Sequence, residues 1–156
     1  AVYKLLNSRV LKRLDTGSFN SNWSWFSGTN SEGDKDYNLP WHTIFDGGEY
    51  ALQSGAIEPA ENSVLLTYLN RMSNAQPTYL VFDARVDSLA RLTTQDSLIV
   101  SSGNFRGRIS SSEESSLWGT YYLELTQDVN LVAFDYSKDE SFASEADLAQ
   151  IKNLEV

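Results

Sequence analysis

Residues 78–87 alternate more cleanly than any other stretch of the chain. Leu80, Phe82, Ala84 and Val86 fall on one side, and Asp83, Arg85 and Asp87 on the other. Successive side chains of an extended strand point to opposite faces, so this spacing predicts a half-buried β-strand with its aliphatic row inward. Tyr50 and Leu52 alternate with Glu49, Ala51 and Gln53 in the same way. Further strands are expected at 64–68, 97–100 and 118–125, where Tyr121, Leu123 and Leu125 oppose Tyr122 and Glu124. Phe105, Gly107 and Ile109 share a face opposite Arg106 and Arg108. Residues 129–136 are apolar on both faces, which places that strand centrally in a sheet.

The last stretch, 149–156, breaks the rule. Ile151 is out of phase with Leu154 and Val156, and a strict period of two cannot put all three on one face. A bulge at Lys152-Asn153 is expected. Asp15-Thr16-Gly17-Ser18 and Asp46-Gly47-Gly48 read as turns. The opening, 1–14, has Val2, Leu5, Leu6, Val10, Leu11 and Leu14 at spacings that suit a short helix and a strand-plus-turn equally. It reads as a linker or peripheral segment. A second helix candidate lies at 145–149.

About eight to ten short strands without crossover helices exclude a parallel α/β fold. The expected class is all-β: an antiparallel two-sheet β-sandwich of the jelly-roll kind, concanavalin-like or galactose-binding-like. At 156 residues, 1–156 is expected to form one such domain.

Composition narrows the function. The formal net charge is -9, with no basic stripe for phosphate binding, so a nucleic-acid partner is disfavoured. No apolar run is long enough to span a bilayer as a helix. With no cysteine, disulfides and thiolate chemistry are excluded. His42 is the one histidine, no serine sits in a G-x-S-x-G elbow, and Asp83 and Asp87 flank Arg85 on a solvated strand face. An enzyme is therefore the weakest reading.

Residues 19–41 combine many Asn, Ser, Gly and Asp residues with six aromatic rings. Short strands around 23–26 and 41–44 are expected to interrupt this loop system. Trp23, Trp25, Tyr37 and Trp41, set beside Asn22 and Asp36, have the composition of a glycan platform. Such a platform needs rigid rings to stack on sugars and polar groups to meet hydroxyls. The same rings equally serve as apolar anchors that hold a long loop to a core. Glu113, Glu114 and Trp118 form a second candidate.

The closing segment, Tyr136-Ser137-Lys138-Asp139 and then Ala149-Gln150-Ile151-Lys152-Asn153-Leu154, resembles that of MAM-like, concanavalin-type jelly-roll domains of bacterial exported and cell-surface proteins. Leu14-Asp15-Thr16-Gly17-Ser18-Phe19, Trp23, Trp25, Trp41, Tyr50-Ala51-Leu52-Gln53-Ser54-Gly55 and Trp118 extend the likeness over most of 15–156, with 71–116 weakly matched. The resemblance implies a non-catalytic accessory module of a secreted or surface protein, part of a larger multidomain chain. Its expected partner is a polysaccharide or surface glycan. A structural spacer or a protein-binding adhesion module is the alternative.

No cofactor is expected; the resemblance leaves room for one structural calcium, with Asp15, Asp139 and Asp147 as candidate ligands. The chain departs from the pattern where Gln150 replaces a tryptophan and Lys152 an aspartate. Lysine has no acceptor and cannot ligate calcium. Lys152 is expected either to face Asp15 as a fixed cation or to point into solvent. In the second case calcium would sit around Asp135, Asp139, Glu145 and Asp147.

Overall fold

The computed structural model describes residues 10–13, 25–29, 41–55, 62–70, 77–87, 96–103, 105–112, 114–138 and 148–156, the first two spans as main chain alone. These residues form eleven strands. The order is β1 (Val10–Arg13), β2 (Trp25–Thr29), β3 (His42–Asp46), β4 (Glu49–Gln53), β5 (Asn62–Asn70) and β6 (Thr78–Asp87). Then follow β7 (Ser97–Ser102), β8 (Phe105–Ser110), β9 (Gly119–Leu125), β10 (Val129–Ser137) and β11 (Leu148–Glu155). Among the described residues there is no helix. Residues 10–13, left open between helix and strand, form β1, and Leu148 and Ala149, at the end of the second helix candidate, begin β11.

The strands make two antiparallel sheets. One has six strands in the order β1-β2-β5-β10-β7-β8, and the other has five in the order β3-β4-β11-β6-β9. The fold is thus the all-β antiparallel two-sheet sandwich expected from the alternation. From β4 onward the chain mostly changes sheet at each connection, so partners are far apart in sequence: β10 lies between β5 and β7, and β11 between β4 and β6.

Between the sheets lies one apolar cluster. It takes Leu80, Phe82, Ala84 and Val86 from β6, Leu98 and Val100 from β7, and Val132, Phe134 and Tyr136 from β10. Phe82 meets Phe134 edge-on across the sandwich at 5.3 Å and stacks on Tyr121 within its own sheet at 5.9 Å. β10 is central, as its two apolar faces require. Its other face joins Ala133 to Val64 and Leu66 in a second cluster.

Two backbone devices set the geometry of the five-stranded sheet. Gly47 and Gly48 connect β3 to β4 with φ of 61° and 81°. A two-residue hairpin with both central residues at positive φ matches the strand twist, and glycine adopts it without steric cost. At the other device, the register of β11 against β6 shifts between Lys152 and Glu155, and Asn153 has φ 54°. This is the expected bulge. It puts Ile151 and Leu154 in the same core, whereas Val156 stays exposed.

Candidate functional site

The two outer faces of the sandwich differ. On the six-stranded sheet, Val64, Leu66, Ala133 and Asp135 are buried on the side away from the core. On the five-stranded sheet the side away from the core carries Tyr79, Val81, Trp118 and Tyr122, all exposed. Tyr122 is 76% exposed and Trp118 38%. Among the described residues, this open sheet face with large rings on it is the candidate binding surface.

Strand alternation puts the rings there. Phe82 and Ala84 point into the core, so Tyr79, Val81, Asp83 and Arg85 point out. On β9, Leu123 and Leu125 point in, so Tyr122 and Thr120 point out beside them, in register with Val81 and Asp83. Tyr79 and Tyr122 meet edge to face, with ring centroids 5.9 Å apart and planes at 84°. Trp118 precedes β9 on the same side, about 13 Å along the strand from Tyr122 at the usual rise per residue.

Polar groups fill the space between the rings. The Thr120 hydroxyl donates to one oxygen of Asp83 at 2.7 Å, and the Asn153 amide donates to the other at 2.8 Å. These two bonds, Thr120 first, hold the Asp83 carboxyl below the usual carboxylate value; slight burial opposes them, and Lys152 adds a weaker attraction. Asn153 reaches Asp83 because of the bulge. With the extra residue, Lys152 and Asn153 both leave the core face in succession, a known use of such irregularities.

Lys152 completes the cluster. Its ammonium is 2.8 Å from the Glu49 carboxylate on β4 and 4.2 Å from the centre of the Trp118 ring. Since β6 lies between β9 and β11, the Trp118 ring must reach across it. Further along, Gln150 donates to Gln53 at 2.6 Å, and Arg85 lies 3.5 Å from Asp87. The surface offers aromatic faces together with fixed donors and acceptors, which suits a neutral, hydroxyl-rich ligand.

Several expected site residues lie outside the described residues: Asn22, Trp23, Asp36 and Tyr37 of the loop platform, and Asp15, Asp139 and Asp147 of the calcium set. Trp25 is placed only by its main chain, at the start of β2 opposite Thr67. Trp41 requires a correction. It is fully buried, packs in the main core, and its indole N–H donates to the Ser63 carbonyl at 2.9 Å. A ring with no exposed face stacks on no ligand, so Trp41 is an anchor.

Lys152 requires another correction: its ammonium does not point freely into solvent but is held by Glu49 and Trp118. Asp135, the described member of the alternative calcium set, is buried and accepts a hydrogen bond from Asn62 at 2.9 Å. Among the described residues no group of three metal-ligating side chains converges. Of the second candidate, Glu113 lies outside the described residues and Glu114 is exposed. Trp118 joins the open face. Tyr79, Tyr122, Thr120 and Asn153 escaped the sequence reading. The signal was present in the alternation, which set Tyr122 against Tyr121 and Tyr79 against Leu80.

No family model matches the chain, and no curated protein matches it. Solved structures do resemble it in fold. The secreted serine protease VesC from Vibrio cholerae aligns at 19% identity and a TM-score of 0.59, over 97% of this chain. This chain spans only 25% of the protease chain. TmCBM61, solved in complex with beta-1,4-galactotriose, aligns at 9% identity and a TM-score of 0.53, over 83% of this chain and 85% of that one. The family 11 carbohydrate-binding module of the cellulosomal cellulase Lic26A-Cel5E of Clostridium thermocellum aligns at 11% identity and a TM-score of 0.50, over 93% and 92%. At these identities the shared property is the β-sandwich fold.

Proposed function

We propose that this chain is a non-catalytic carbohydrate-binding module of a secreted or cell-surface protein, and that it holds a polysaccharide on the open face of the five-stranded sheet. The observation that carries the reading is the placement of Trp118, Tyr79 and Tyr122 on one solvent-facing surface, around the hydrogen-bonded Asp83, Thr120 and Asn153. Aromatic rings supply apolar faces for the C–H side of a sugar, and the polar cluster meets its hydroxyls. The separation of Trp118 from Tyr122 along the strand exceeds one pyranose ring, so the surface suits a chain rather than a monosaccharide. Fold likeness to two carbohydrate-binding modules supports the reading, and so does the MAM-like pattern of the closing strand.

The test is a glycan array followed by affinity electrophoresis against the polysaccharides that bind. Tyr122→Ala and Trp118→Ala are expected to weaken binding at least about tenfold, roughly 1.4 kcal/mol, with little change in melting temperature for Tyr122→Ala. An array without a hit would overturn the proposal and favour the spacer or protein-binding alternative.

A further inference from the structure

A second opening lies at the side of the sandwich, between the two edge strands β8 and β9. Its volume is about 130 Å³, and Phe82, Val100, Ile109, Tyr121 and Leu123 supply its walls. The cause is a missing side chain. Gly107 pairs with Val100 and Ile109 with Leu98, both core residues, so a side chain at position 107 would point into the sandwich. A Cβ built at Gly107 meets nothing within 4 Å. Gly107 has no positive φ, so its backbone does not demand glycine there.

A second glycine shapes the wall. At Gly119 a Cβ would come within 3.2 Å of the Tyr121 ring, so glycine allows that ring to fold back along its own strand and stack on Phe82. The remaining members of the lining, Arg108 and Tyr122, are exposed and border the opening. Arg108 alternates with Gly107 along β8 and pairs with Ile99 rather than with a residue of the main core, so its side chain leaves the strand on the face away from the opening.

We propose that this opening is a binding pocket for a single uncharged aromatic ring, seated against Phe82 and Tyr121. Size agrees with the ring: a dry apolar cavity of about 150 Å³ accepts benzene. Aromatic walls favour an aromatic guest through offset or edge contacts. The opening meets the sugar-facing surface at Tyr122, but its presence does not depend on glycan binding.

The test uses benzyl alcohol and cyclohexylmethanol as probes, titrated into isotope-labelled protein and followed by amide chemical shifts. Benzyl alcohol is expected to give saturable shifts at Gly107, Ile109, Tyr121 and Leu123, and to bind about threefold more tightly than cyclohexylmethanol, the scale of one aromatic pair. Gly107→Val, which fills the space, should melt no lower than the wild type and bind benzyl alcohol at least about tenfold more weakly. Should that variant fail to fold, Gly107→Ala takes its place, with weakened binding expected. Shifts in the wild type that are scattered or do not saturate would overturn the proposal. So would undiminished benzyl alcohol binding in a folded Gly107 variant, or cyclohexylmethanol binding as tightly as benzyl alcohol.

Discussion

Asn153 donates a hydrogen bond of 2.8 Å to Asp83 from a residue in the left-handed backbone region, φ 54°. Without the bulge, residue 153 would point into the core and Asp83 would keep only Thr120 as a donor. Core packing and surface chemistry are therefore joined in one irregularity: the shift that brings Leu154 inward also brings Asn153 outward.

The first prediction concerns acid. Asp83 titrates below the usual carboxylate value of about 3.9. A carboxyl whose folded pKa is depressed contributes stability that is fully present above its unfolded value. That contribution is lost as the pH falls through the lower folded value. Asn153→Gly keeps the positive φ and removes the donor. It should raise the Asp83 midpoint towards normal, as read by NMR. The stability difference between wild type and variant should be constant from about pH 7 to 5 and narrow below about pH 4. A difference that grows with acid would contradict this account.

Removing the cation is the second test. Lys152→Ala deletes an ion pair with a half-exposed carboxylate and a cation–π contact with Trp118. Each is worth about 0.5–1 kcal/mol at such sites, so urea unfolding should show a loss of about 1–2 kcal/mol. The loss should shrink in 1 M salt, which screens partly exposed charges, and tryptophan emission should shift as the Trp118 ring loses its neighbour. A salt-independent loss above about 3 kcal/mol would mean that Lys152 supports the fold by another route.

Calcium provides the third. Lys152 stands where the family resemblance expects a carboxylate, and it has no lone pair to offer. Melting temperature is expected to be the same in EDTA and in millimolar calcium. An EDTA-sensitive drop that persists in Lys152→Ala would place a metal among other acids, such as Asp139 and Asp147.

Phe82 gives the fourth. It is almost wholly buried between Phe134 and Tyr121. Phe82→Ala should cost about 3–5 kcal/mol by equilibrium unfolding, because the ring is lost and a cavity remains beside the opening under Gly107. A cost below about 1 kcal/mol would show that the sheets close over the gap.

The strands were legible because their signal is local. The row Leu80, Phe82, Ala84 and Val86 entered the core, β10 took a central place in its sheet, and the odd phase of Ile151 located the bulge. Each follows from a period of two acting over a few residues. Pairing was not legible. That β11 inserts between β4 and β6, and β10 between β5 and β7, depends on partners far apart in the chain, and period two names a face without naming a neighbour.

The same limit decided the site. Trp41 and Trp118 are equally large rings in sequence. One fills the space between sheets with its N–H on Ser63, and the other crosses an outer face to Lys152. Whether a ring is an anchor or a platform depends on what stands opposite it. The sequence determined the alternation, the turns and the charge; only the assembled sheets decided which aromatic rings face solvent and which polar groups gather beside them.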